Sequence, residues 1–359
     1  MNQEKLKIGL IFGGRSFEHE VSLVSARSIL NALDKNKYKI KLFGITKEGY
    51  WVQGKTAKKL LKGKEIKRKR RLSLPKSTKE IDIFFPVLHG PFGEDGTIQG
   101  LLESIRKPYV GADVLGSALG MDKVAQKIIW ENYKLPITKF KWFLKKDWEY
   151  KQKTYIENIE KTLGYPCFVK PANSGSSVGI SKAKNKNELI KGVYGAARYD
   201  NKVIIEKAVP NARDIEVSIL GNDNPAASLP GEVIPSNEFY DYESKYIKGA
   251  TKEIIPAKLP KETIAKLQKI AIKAYRAIEC KGMGRADFLI PQNTDEIFLN
   301  EINTLPGFTS ISMYPKLWQA SGLTYSKLLD KLIKLGLKRF RNIEQLHFSY
   351  KPKIKWHAK

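Results

Sequence analysis

The chain has 359 residues, 42% of them hydrophobic, enough for two or three domains with cores of their own. Its formal net charge of +27 comes mostly from lysine, but the lysines are dispersed among Glu, Asn and apolar residues, the pattern of a solvated surface and not of a nucleic-acid stripe. Only two cysteines, Cys167 and Cys280, are present, and the apolar run in MNQEKLKIGLIFGG is short, so a disulfide framework, a signal-peptide core and a membrane span are all disfavoured and a soluble cytoplasmic protein is expected.

In chain order, residues 6–12 (LKIGLIF) predict a buried strand, followed by Gly13-Gly14 and an apolar-periodic helix from about Glu18 to Leu33. GGRSFE lacks the GxGxxG spacing, which rules out a dinucleotide fingerprint. The densest basic run, Lys62 to Arg71 (KGKEIKRKRR), has no interleaved aromatics and reads as part of an exposed basic insertion over about 55–75. Residues 82–88 (DIFFPVL) predict another strand, with the loop HGPFGEDG and a helix near 97–106 after it. Strand, Gly-rich loop and helix in alternation indicate a Rossmann-like α/β domain with a parallel sheet over 1–112.

A second block, 113–207, opens with a helix from Asp122 to Lys134 and has strands at 166–170 (PCFVK) and 203–207 (VIIEK). Between them lies PANSGSSVG, preceded by Lys170. Small residues let backbone N–H groups approach phosphate oxygens, and the lysine adds a point charge. The GxxxxGK[ST] spacing is absent and the lysine precedes the loop, so this is not a Walker A segment. Lys123 is a second candidate cation. An ordinary Gly/Ser turn and a plain surface lysine are the alternatives that these two segments leave open.

A third block spans 208–345. Residues 214–220 (DIEVSIL) alternate strictly, with Ile215, Val217 and Ile219 on one side and Asp214, Glu216 and Ser218 on the other. Residues 236–256, rich in Tyr and charge, show neither period and read as a lid. Residues 285–290 and 297–303 predict strands around the turn PQNTDE. A hairpin centred near Thr294 sets Asp287 opposite Glu301 and Arg285 opposite Asn303. Opposed carboxylates repel on a bare sheet. A hard cation such as Mg²⁺, which takes carboxylate and amide oxygens together with substrate phosphates, removes the conflict. Carboxylates paired to lysines on a solvated face are the alternative. Residues 346–359 form a basic tail.

Taken together, FGGRSFEHEVSLVSA (12–26), LHGPFGEDGTIQGLLE (88–103), PYVG (108–111), MDK (121–123), FVKPANSGSSVGISK (168–182), EFYDYESKY (238–246), GRADF (284–288) and NEINTLPGFTS (300–310) resemble the D-alanine–D-alanine ligase family of ATP-grasp enzymes. The resemblance runs over residues 5–345 in family order. It implies an α/β fold of three domains, with ATP held between the central and C-terminal ones. It also implies a cell-wall reaction in which the carboxylate of a first D-alanine attacks the γ-phosphate, and the amine of a second attacks the acyl phosphate.

By the same resemblance Lys123 and Lys170 contact nucleotide phosphates, Glu206 and Lys207 read adenine, and Asp214 holds the ribose. Asp287, Glu301 and Asn303 carry two Mg²⁺ ions, with Mn²⁺ as a substitute. Arg285 and the backbone N–H of Gly307 hold the developing oxyanion. Glu18 accepts the ammonium of the first substrate, His89 lies near that substrate, and Ser312 receives the carboxylate of the second. Ser176, within the phosphate-gripping loop, and Tyr246 link Glu18 to the lid, and Lys245 reaches the transferred phosphate. A homodimer is implied, with no nucleic-acid or membrane partner. A D-alanine–D-lactate ligase is the nearest rival, but such enzymes depart from EFYDYESKY at the position of Tyr246, which this chain keeps. GGRSFEHEVS argues against an ATP-grasp ligase for another carboxylate. The charge leaves a nucleic-acid-binding protein as the reading from a different class.

Overall fold

The computed structural model describes residues 4–66, 76–235, 251–292, 294 and 296–349. Strand β1 (Leu6–Gly13) is almost wholly buried. A strand covered on both faces reads as an unbroken apolar run, and this one pairs in parallel with β2 (Tyr38–Ile45) and β4 (Ile83–Val87). β3 (Trp51–Gln53) closes one edge antiparallel to β2. Helices α1 (His19–Ala32), α2 (Gly54–Leu61) and α3 (Thr97–Ser104) pack with this sheet.

The expectation of an exposed insertion from residue 55 is corrected for its first part. Residues 54–61 are α2, which buries Ala57, Leu60 and Leu61 on one face. That i, i+3, i+4 spacing belongs to an amphipathic helix, and the flanking lysines are its wet side. Residues 67–75 lie outside the described part.

The second sheet is antiparallel throughout, in the order β5 (Phe140–Leu144), β8 (Lys202–Lys207), β6 (Cys167–Pro171), β7 (Ser181–Ala183). Helices α6 (Lys145–Thr162) and α7 (Lys186–Ala196) close its core, where Phe143 stacks on Trp148 at 4.9 Å.

The third sheet is also antiparallel. Its strands are β9 (Ala212–Leu220), β10 (Ala226–Ala227), β11 (Gly231–Pro235), β12 (Thr251–Ile254), β13 (Met283–Pro291) and β14 (Phe298–Asn303). The order is β12-β11-β9-β13-β14, with β10 on β9. Ile215, Val217, Ile219, Ala286 and Phe288 share one core with α8 (Lys261–Ala277), which leaves the opposite face of β9 and β13 to polar side chains. Helices α4 (Val114–Met121) and α5 (Lys123–Asn132) bridge the second and third sheets: Trp130 packs in the third sheet's core, while Val124 meets Ala172 and Ile204.

Residues 251–254, expected within a lid, are strand β12 paired with β11; residues 236–250 lie outside the described part. Helices α9 (Met313–Ala320) and α10 (Tyr325–Glu344) follow the third sheet in sequence, yet Leu328, Leu329, Leu332 and Ile333 bury themselves in the core of the first sheet. Arg339 donates to the carbonyls of Gly111 and Tyr109, which fixes the helix to the strand-like segment beside β4.

Candidate active site

Pairing between β13 and β14 matches the register expected from alternation. Arg285 stands opposite Asn303 and Asp287 opposite Glu301. Beyond Asp287 the register slips, so that Phe288 faces Leu299 and Asn300 is left over. On the other side of β13, Asp287 faces Glu216 of β9, so three carboxylates share one row across three strands. They are held apart by cations. Arg285 bonds Asp287 through Nε and Nη2, both at 2.7 Å, and its Nε lies 3.0 Å from Glu216. Lys123 Nζ lies 3.3 Å from Glu301 and donates to the Ser174 carbonyl at 2.7 Å. Asn303 Oδ1 accepts from Leu305 N–H at 2.9 Å.

Asp287, Glu301 and Asn303 offer two carboxylates and an amide oxygen on one face, the hard donors that Mg²⁺ takes. No group of three His, Cys, Asp or Glu suited to a metal occurs among the described residues.

A cleft lies between β6, β8 and β13. Phe168, Val209 and Leu289 form apolar wall, while Lys170, Glu206, Lys207 and Asp214 supply charge. Lys170 Nζ sits 2.5 Å from Glu206 Oε2 and 3.4 Å from Asn300 Oδ1. Glu206 is also 3.0 Å from Lys127, whose side chain is entirely buried. Burial alone would raise the Glu206 carboxyl, but the pull of Lys127 and Lys170 overrides it and holds the group at about 2. Burial opposes the charge on Lys170 too, and Glu206 and Glu301 outweigh it, so its pKa rises. A flat base against the apolar wall, with an anionic chain running toward Lys170 and Lys123, fits this lining.

An adjoining cleft is lined by Glu18, His89, Lys123, Ser176, Arg285, Glu301, Asn303, Gly307 and Ser312. Glu18 occupies the N-cap position of α1, but its carboxylate makes no capping bond there and instead accepts from Ser176 Oγ. Two glycines leave room for it: a Cβ at Gly90 would stand 2.5 Å from Glu18 Oε2, and one at Gly175 would stand 2.8 Å away. Ser176 and Ser177 both hold positive φ, 48° and 59°, a costly backbone that turns the loop toward Glu18. His89 is buried, with Nε2 3.0 Å from Ser25 Oγ and Nδ1 3.6 Å from Glu94. Ser312 Oγ accepts from Thr309 N–H at 2.9 Å at the start of α9.

The structure therefore brings most of the expected site residues into two clefts that share Ser177, Ile180, Glu216 and Glu301. Lys245 and Tyr246 lie outside the described residues. Sequence reasoning did not select Glu216, Lys127 or Glu94. Glu216 had a signal, since it alternates onto the polar face with Asp214; Lys127 had a weaker one, lying one helical turn after Lys123 on α5.

A lysine-bearing antiparallel sheet, a carboxylate-bearing hairpin and an α/β first domain with a mainly parallel sheet, with clefts between them, define an ATP-grasp fold. Two sequence families match the chain, described as D-ala D-ala ligase N-terminus over residues 7–112 and D-ala D-ala ligase C-terminus over 129–334. A D-alanine–D-alanine ligase of Chloroherpeton thalassium is 49% identical over 94% of this chain and 97% of its own, and one from Thermoanaerobacter sp. is 51% identical over 93% and 97%. The solved D-alanine-D-alanine ligase from Coxiella burnetii superposes with a TM-score of 0.81 at 34% identity, covering 95% of this chain and 97% of that one. The VanG D-Ala:D-Ser ligase from Enterococcus faecalis gives 0.79 at 34%, covering 93% and 100%. The chain belongs to the D-alanine–D-alanine ligase family.

Proposed function

We propose that this protein joins two D-alanines into D-alanyl-D-alanine for cell-wall synthesis, converting ATP to ADP and phosphate. The observation that carries this reading is the meeting of two clefts on one carboxylate face. The base-and-phosphate cleft at Lys170 and Glu206 and the Glu18–Ser176 cleft share Glu301 and Glu216. A reaction that first phosphorylates a small carboxylate and then transfers its acyl group needs that adjacency, because positioning supplies most of the rate.

In this reading Lys123 and Lys170 hold phosphate oxygens, Glu206 and Lys207 face the base, and Asp214 faces the ribose. Glu18 takes the ammonium of the first D-alanine and so aims its carboxylate at the terminal phosphate, beside His89. Arg285, kept in place by Glu216 and Asp287, stabilises the negative charge that develops at the attacked carbonyl, together with the N–H of Gly307. Ser312 receives the carboxylate of the second D-alanine. Asp287, Glu301 and Asn303 would hold Mg²⁺, with Mn²⁺ as a substitute; it supplies charge neutralisation for the phosphates. The use of ATP supports a cytoplasmic site of action.

D-alanine labelled with heavy oxygen in its carboxylate tests the chemistry. Each turnover should move one labelled oxygen into inorganic phosphate, since the acyl phosphate breaks at carbon when the amine attacks. Unlabelled phosphate would overturn the acyl-phosphate route.

A further inference from the structure

Lys127 is the most deeply buried charged side chain beside the site, and no step described above uses it. It is 0% exposed, so it touches no ligand. Its partners are Thr138 Oγ1 at 3.3 Å and the Glu206 carboxylate at 3.0 Å. Glu206 is shared, because its other oxygen lies 2.5 Å from Lys170 Nζ. Burying a lysine among apolar side chains disfavours its charge unless a carboxylate compensates it. A chain needing only to neutralise Lys170 would have stopped at one carboxylate. Here two lysines divide one carboxylate: burial lowers the Lys127 pKa against the pull of Glu206, Glu301 also draws on Lys170, and of the three buried groups Lys127, Glu206 and Lys170, which carry one more cation than anion, the excess reaches the cleft through Lys170.

We infer that Lys127 is a positioning residue for the nucleotide phosphates, acting through Glu206. By taking part of the Glu206 charge it keeps Lys170 an effective cation, while Glu206 keeps Lys170 in place. Without Lys127, the Glu206–Lys170 pair is neutral and offers the phosphates a dipole in place of a charge. This inference rests on the proposed binding of ATP phosphates at Lys170.

The test is the affinity for ATP and for AMP, measured by titration calorimetry on the full chain. The quantity read is the ratio of the two dissociation constants, with thermal unfolding recorded in parallel. Lys127→Met should weaken ATP about tenfold, the size expected for one charge several ångströms away in a partly screened medium, and change AMP by less than about twofold. The double variant Lys127→Met/Glu206→Gln should restore much of the preference for ATP, because Lys170 is then uncompensated. Equal weakening of ATP and AMP, or no recovery in the double variant, would mean that Lys127 is merely structural and would overturn the inference. Lys170→Gln separates the two levels. If it leaves the ratio unchanged, the phosphate reading and this inference both fall. If it erases the preference while Lys127→Met keeps it, the inference alone falls.

Discussion

Asp287 and Glu301 face each other across β13 and β14, each held by a cation of its own. Asp287→Asn or Glu301→Gln keeps the shape and removes one charged oxygen donor. We expect turnover to fall at least ~100-fold with thermal unfolding nearly unchanged, since both the metal and the phosphates lose a compensating group. Steady-state rates against Mg²⁺ concentration check this, and near-wild-type turnover at sub-millimolar Mg²⁺ would remove the metal assignment. Glu206 makes a pH prediction. Its folded value of about 2 lies below its ordinary 4.5. Its contribution to stability is therefore complete above pH 4.5 and is lost as the pH falls toward 2. Urea unfolding of wild type and Glu206→Gln should diverge in slope across that interval and run parallel above it; parallel curves throughout would show that the carboxylate is not held ionised.

At this scale the sequence was most informative where the period is short. Alternation by two put Arg285, Asp287, Glu301 and Asn303 on facing positions, and the observed register agrees. The bulge that frees Asn300 to approach Lys170 leaves no trace in the alternation. Lys127 was hidden for a physical reason: a lysine in a helix is ordinarily wet, and only the tertiary placement of Glu206 makes its burial tolerable.

Among the elements, α5 carries both Lys123 and Lys127, and Asp122 caps it by accepting from the N–H groups of Val124 and Ala125 at 3.0 Å. Asp122→Ala should cost about 0.5–2 kcal/mol and raise the KM for ATP, because the first turn bearing Lys123 frays. Chemical denaturation and ATP kinetics on the variant check both parts, and an unchanged KM would detach the cap from the site. Helix α10 is a second case. Leu332 is fully buried against the first sheet, so Leu332→Ala should cost roughly 2–5 kcal/mol. Amide exchange should then quicken in β1 and β4 before it does in β13 and β14; the reverse order would contradict the packing of this helix on the first sheet. Strands β1, β4, β6, β8, β9, β13 and β14 and helix α1 were legible because their apolar patterns are regular. Residues 54–61 misled because lysines flank a short apolar face, and β12 because its four residues gain meaning only beside β11.

For the whole molecule, three sheets occupy successive stretches of the chain, and the clefts form where they meet. This order supports the division at 112 and 207 as a proposal, with α10 returning from the last stretch to the first sheet. The chain carries a formal net charge of +27, and ATP is an anion. Association with ATP should therefore slow as ionic strength rises, seen as a falling kcat/KM with kcat little changed. A salt-independent kcat/KM would show that the surface charge plays no part in capture. The central claim is the coupling of ATP cleavage to a D-alanine–D-alanine bond. Purified protein incubated with ATP, Mg²⁺ and D-alanine should yield D-alanyl-D-alanine by mass spectrometry, one ADP per dipeptide, and no dipeptide when ATP is omitted. ADP without dipeptide, or a depsipeptide as main product when D-lactate competes at neutral pH, would contradict it.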